Sequence, residues 1–127
     1  MTYVVRCLDS VKLDPMTPAL ARLISVLEQA AQRLKRDLVV TCGREGHDAT
    51  DPHTRGMALD VRTRDVADGP LLALLDFLRT ALGPAWTVLY EVPTRPTGVR
   101  GQGAWVNPKA SAEHCHIQPL KGTVWPT

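Results

Sequence analysis

With 127 residues, 44% hydrophobic content and a formal net charge of +2, the chain has the length of one ordinary domain, residues 1–127, and enough apolar material for a single core. Its charges are mixed in sign, without the clustered basic face that would argue for nucleic acid, and no window is apolar for the roughly 18 residues that a membrane span requires. Cys7, Cys42 and Cys115 are odd in number and far apart, which excludes a disulfide framework or a Cys-rich zinc site and points to a reducing compartment.

The first element expected is a strand over Thr2 to Cys7. Its leading residues lack the basic, apolar and small-residue order of a secretory signal, so the chain is expected to be cytoplasmic as synthesised. Thr17 then caps a helix that Pro18 opens, with Leu20, Leu23, Ile24, Leu27, Ala30, Ala31 and Leu34 on its apolar side. Lys35 and Arg36 end it, cations at the negative end of the helix dipole. "LVVTCG", 38–43, reads as a strand that stops at a glycine, and "REGHDATDPHTRG" as a polar loop crowded with turn formers.

In "MALDVR" the apolar Met57, Leu59 and Val61 alternate with Ala58, Asp60 and Arg62, so Asp60 faces away from the core side of a half-buried strand. A second helix is expected from Pro70 to Leu82, closed by Gly83, and a strand from Trp86 to Val92 on which Glu91 shares parity with Leu89. Residues 93–111 are too rich in Pro and Gly to be regular and read as a long loop or a loose hairpin. In "HCHIQ", His114, His116 and Gln118 share one face of an extended segment while Cys115 turns inward; Cys7 and Cys42 read as small core residues. The order strand, helix, strand, strand, helix, strand, strand predicts an α+β fold, with helices packed on a mainly antiparallel sheet.

A catalytic zinc keeps three protein ligands, neutral imidazoles and a carboxylate among them, and leaves one position open. His53, Asp60 and His116 meet that inventory, with Gly56 able to fold the loop histidine back over the strand of Asp60. A proton carrier must stand nearby, and both Glu113 and His114 qualify: strand parity favours His114, while Glu113 precedes the regular strand. Arg44, after the glycine that ends its strand, could hold a substrate carboxylate or a developing oxyanion. The plainer alternatives are a structural His47 in a polar loop, an Asp60 paired with Arg62 or Arg64, an Arg44 that is a surface fork, and a Glu113 that is a solvated strand residue.

"DPHTRGMALD" resembles the Ser-x-His-x-x-Gly-x-Ala-x-Asp pattern, and "EHCHIQ" the Glu-x-x-His or His-x-His pattern, of zinc peptidases that act on bacterial cell-wall peptides. That family comprises D-Ala-D-Ala carboxypeptidases and dipeptidases and L-Ala-D-Glu endopeptidases, and its fold is shared with the amino-terminal domain of hedgehog proteins. "VVTCGRE" extends the resemblance, which covers roughly Leu38 to Gln118. It implies a hedgehog-like fold, zinc on His53, Asp60 and His116, Glu113 as general base and acid, and Arg44 as electrostatic stabiliser. Asp51 departs from the family's serine, and "EHCH" carries the marks of both subgroups, which divides the base between Glu113 and His114.

The function expected is zinc-dependent hydrolysis of peptide bonds in peptidoglycan stem peptides by a monomer, with a phage enzyme released onto the wall as one setting that family habit suggests. The rivals are a non-catalytic zinc-binding module of the same fold and an intracellular D-amino-acid dipeptidase.

Overall fold

The computed structural model describes residues 2–46 and 48–126. His47, read above as a structural histidine, lies outside the described residues. In chain order the elements are β1 (Val5–Cys7), α1 (Pro18–Leu34), β2 (Leu38–Cys42), β3 (Leu59–Arg62), α2 (Asp68–Leu82), β4 (Trp86–Val92), α3 (Val99–Gln102), β5 (Ala104–Val106) and β6 (His114–Pro119). Among the described residues no helix is long and apolar enough to cross a membrane.

The strands form one six-stranded sheet in the order β1-β2-β3-β6-β4-β5. The expectation of a mainly antiparallel sheet is corrected: the sheet is mixed, because both edge strands, β1 and β5, run parallel to their neighbours. In each case a helix carries the chain back before the next strand begins, α1 between β1 and β2 and α3 between β4 and β5. The antiparallel centre, β2-β3-β6-β4, holds the motifs.

α1 starts where the cap predicts: the Thr17 hydroxyl accepts from the Leu20 N–H at 3.1 Å and Pro18 takes the first helical position. It ends two residues before Arg36, because Lys35 turns to φ 55° and closes the helix on the carbonyls of Ala31 and Gln32. α2 begins at Asp68, before the proline that was expected to open it, and Gly83 ends it as foreseen. The segment 93–111 is not a bare loop: its middle folds into α3 and β5, anchored by Arg95 to the carbonyls of Gly101 and Ala104.

One core lies between the helices and one face of the sheet. Leu20, Leu23 and Leu27 of α1, Leu71, Leu74 and Leu78 of α2, and Val40, Leu59, Val61, Tyr90, Cys115 and Ile117 from the strands are all fully buried. Burying a side chain of this size stabilises by roughly 1.5–3 kcal/mol, so this face sets the strand register. The alternate residues, Asp60 and Arg62 on β3, Glu91 on β4, and His114, His116 and Gln118 on β6, are therefore turned to the opposite face. Trp125 of the tail meets Trp86 edge-on at 5.2 Å, whereas Trp105 is half exposed.

Candidate metal centre

Antiparallel pairing brings the two motifs together without any loop rearrangement: Asp60 pairs with His116, and Arg62 with His114. Glu91 lies opposite His114 from the other side. The third contributor, His53, arrives from a turn that Asp51 closes by accepting the His53 N–H at 2.8 Å. Asp51 thus performs the local bonding that an Asx turn asks for, a role a serine would fill more weakly. Gly56 then reverses the chain at φ 72°, where an added Cβ would stand 2.5 Å from the Thr17 methyl and 3.1 Å from the Arg44 guanidinium.

β2 adds a departure from simple parity. Val40 pairs with Val61 but Cys42 pairs with Asp60, so one extra residue, Thr41, is inserted against β3. This bulge moves Cys42 off the core face and onto the face of Asp60, half-buried rather than in the core where alternation put it. Cys7 is also not in the core but exposed, while Cys115 is fully buried as its parity required.

Three imidazoles surround one carboxylate oxygen. Asp60 Oδ1 is 2.9 Å from His116 Nδ1, 3.3 Å from His53 Nε2 and 3.7 Å from His114 Nε2. The other nitrogen of each ring faces a neutral oxygen: His53 Nδ1 the Gly43 carbonyl at 3.1 Å, His114 Nδ1 the Ala112 carbonyl at 3.0 Å, and His116 Nε2 the Gln118 Oε1 at 2.6 Å. Carbonyl oxygens only accept, so a neutral ring donates its N–H outward and keeps its lone pair toward Asp60, whereas a ring protonated at both nitrogens donates to Asp60 as well. Lone pairs and a carboxylate facing one another repel unless a proton or a cation stands among them. This is the arrangement by which histidine ligands are held in one tautomer for a metal ion.

The ionisation of the cluster has the same origin. Burial favours a neutral Asp60, but the hydrogen bonds from His116 and His53 outweigh it and hold the carboxyl far below the ordinary range, so it stays ionised. Burial pulls His116 down, and its bonds to Asp60 and Gln118 more than restore it, so its proton is held more tightly than usual. Burial raises the Cys42 thiol, and the charges of Asp60, Glu45 and Asp51 raise it further. Among the described residues two donor groups, each with its atoms within 4.8 Å of one another, could hold a metal ion: Cys42, His53 and Asp60, and Asp60, His114 and His116.

The remaining expected residues, Glu113 and Arg44, are bonded to other partners. Glu113 lines the same cleft as Asp60 and His114, but its Oε1 accepts from the Arg100 Nη2 at 2.7 Å and from the Thr63 hydroxyl at 3.0 Å. Arg44 donates to the Thr54 carbonyl at 3.0 Å and to the Pro15 carbonyl, so its bonds hold the loop of His53. Glu91, given no role from the sequence, sets Oε1 2.6 Å from His114 Nε2 and accepts from the Asn107 amide at 2.8 Å through Oε2. Its strand parity was the available signal; the pairing of β4 with β6 supplied the rest. Comparison with family models, with curated proteins and with solved structures finds no match.

Proposed function

We propose that this chain is a zinc-dependent amide hydrolase that cleaves peptidoglycan stem peptides, and that His53, Asp60 and His116 hold the metal. The single observation that carries this reading is the convergence of three tautomer-fixed imidazoles on Asp60 Oδ1. A mixed set of imidazole nitrogens and one carboxylate oxygen suits zinc, which in such sites polarises a carbonyl and acidifies a water. The order of "DPHTRGMALD" and "EHCHIQ", which resembles that of the cell-wall zinc peptidases, supports a peptide substrate.

In this reading the proton belongs to His114 and Glu91. His114 Nε2 takes it from the attacking water; the imidazolium then has an acceptor at each nitrogen, the Ala112 carbonyl at Nδ1 and the Glu91 carboxylate at Nε2. The same nitrogen returns the proton to the leaving amine. Glu113, whose oxygen is bound by Arg100 and Thr63, fixes the start of β6 and so the position of His114. The test is digestion of purified peptidoglycan by zinc-loaded protein with mass analysis of the fragments. Stem-peptide fragments that disappear on chelation are expected; an unchanged sacculus with full zinc occupancy would overturn the proposal.

A further inference from the structure

A cleft of about 460 Å³ opens beside Asp60 and His114, and two arginines, Arg62 and Arg64, line it. Arg62 is on the face of Asp60, two residues further along β3 and directly opposite His114. Two residues of strand advance about 6.6 Å, close to two Cα–Cα steps of about 3.8 Å in a bound peptide. A group held by Arg62 is therefore one or two backbone units from a bond placed at Asp60.

The charge in this cleft is not consumed internally. Arg44 and Arg100, half-buried like Arg62, direct their guanidinium groups to backbone carbonyls and, for Arg100, to Glu113 and Asp68. Arg62 and Arg64 have no ion pair or side-chain hydrogen bond among the described residues, although both border the site. Of the acids on the cleft wall, Glu113 is neutralised by Arg100 and Asp60 by the imidazoles or the ion they would hold. Arg6 and Asp9 line an adjoining depression with Arg62 and offset one another in charge. The open cleft is left cationic at its Arg62 end.

We infer that Arg62 and Arg64 form the specificity site for a free carboxylate on the substrate residue next to the scissile bond. The inference rests on the hydrolase reading above and names its substrate class: acidic peptides, not neutral or amidated ones. A guanidinium fork receives a carboxylate through two parallel hydrogen bonds, and Arg62, on a central strand, is aimed by the register that aims Asp60. The task that the sequence assigned to Arg44 as a carboxylate binder thereby moves to the neighbouring strand. The carboxylate has two possible sources, the carboxyl terminus of the peptide or the free carboxyl of a γ-linked glutamate.

Both sources are tested on zinc-loaded protein by calorimetric binding of acetyl-D-Ala-D-Ala and of acetyl-L-Ala-γ-D-Glu, each as free acid and as amide, at two salt concentrations. The wild type is expected to bind one acid about tenfold or more tightly than its amide, with the preference falling as salt rises. The acid that shows it identifies the source. In Arg62→Ala/Arg64→Ala the preference should disappear while zinc content and the thermal midpoint stay as in the wild type, and Arg62→Lys should recover part of it. Equal binding of acids and amides, no binding of either acid, or a preference that survives the double substitution would overturn the site. Hydrolysis followed in parallel separates the two ideas: cleavage without acid preference removes this site alone, and acid preference without cleavage removes the peptidase reading alone.

Discussion

Glu91 Oε1 lies 2.6 Å from His114 Nε2, closer than Asp60 Oδ1 lies to any of the three histidines of the site. Because His114 Nδ1 is tied to the Ala112 carbonyl, a ring that takes a proton at Nε2 meets an oxygen acceptor at each nitrogen, the geometry a base requires. His114→Ala and Glu91→Gln are expected to keep the metal and lose on the order of 10²–10⁴ in turnover. Glu113→Gln should keep activity within about tenfold, since only the anchor of β6 is weakened. Metal content and steady-state rates check this; a dead Glu113→Gln beside an active His114→Ala would return the base to Glu113.

Alternation and capping made most of this fold legible. Asp60 on the face away from Leu59 and Val61, His114 and His116 together on one face, and Cys115 inward all follow from a period of two and a buried side that cannot slip. What alternation cannot express is an inserted residue: the bulge at Thr41 changes the parity of β2, and Cys42 moved from core to site. Nor does local pattern report strand direction at the sheet edges, or the order that set Glu91 against His114 across more than twenty residues of intervening chain. Arg44 was read by its place after a glycine, but its bonding depends on where the Pro15 and Thr54 carbonyls come to lie.

The proposed ligand set is separable by substitution. His53→Ala, Asp60→Asn and His116→Ala should each abolish stoichiometric metal, because three ligands cannot become two without loss of the site. Gln118→Ala should weaken the metal by about 10- to 100-fold, since it frees the outer nitrogen of His116. Cys42→Ser should still hold about one metal per chain if the site is of the open, catalytic kind. Loss of metal from the serine variant would instead assign the Cys42 sulfur as a ligand. Equilibrium titration with a chromogenic chelator distinguishes these outcomes.

Arg44 and Gly56 should behave as supports of the His53 loop. An electrostatic stabiliser at Arg44 would give an Arg44→Ala that keeps zinc and loses turnover; the bonds to Thr54 and Pro15 lead instead to lower metal affinity together with a lower thermal midpoint. Gly56→Ala should cost about 1–3 kcal/mol from the left-handed backbone alone. The approach of Thr17 to 2.5 Å adds to that cost. Thermal unfolding and metal titration on the same samples test both, and an Arg44→Ala with normal affinity, normal stability and reduced turnover would restore its catalytic role.

Acid should loosen the centre from behind, through Glu45. Its carboxylate accepts the Lys12 N–H at 2.8 Å and the Gly43 N–H at 3.0 and 3.1 Å, and Gly43 in turn presents the carbonyl that orients His53. Burial favours the neutral acid, but these backbone donors outweigh it and lower the Glu45 pKa from its ordinary 4.5. A carboxyl lowered in the folded state adds stability that is complete above its ordinary pKa and is lost as pH falls through that value toward the folded one. Glu45→Gln keeps one acceptor and loses the charge, so it should unfold at a lower temperature than the wild type at neutral pH. The gap should narrow once pH drops below about 4.5 and close in stronger acid, when the wild-type carboxyl is itself protonated. Metal-free protein is the sample to use, because it removes ligand protonation from the comparison between the two chains. A gap that is constant across the acid range would show that Glu45 acts by shape alone and that its charge does not support Gly43.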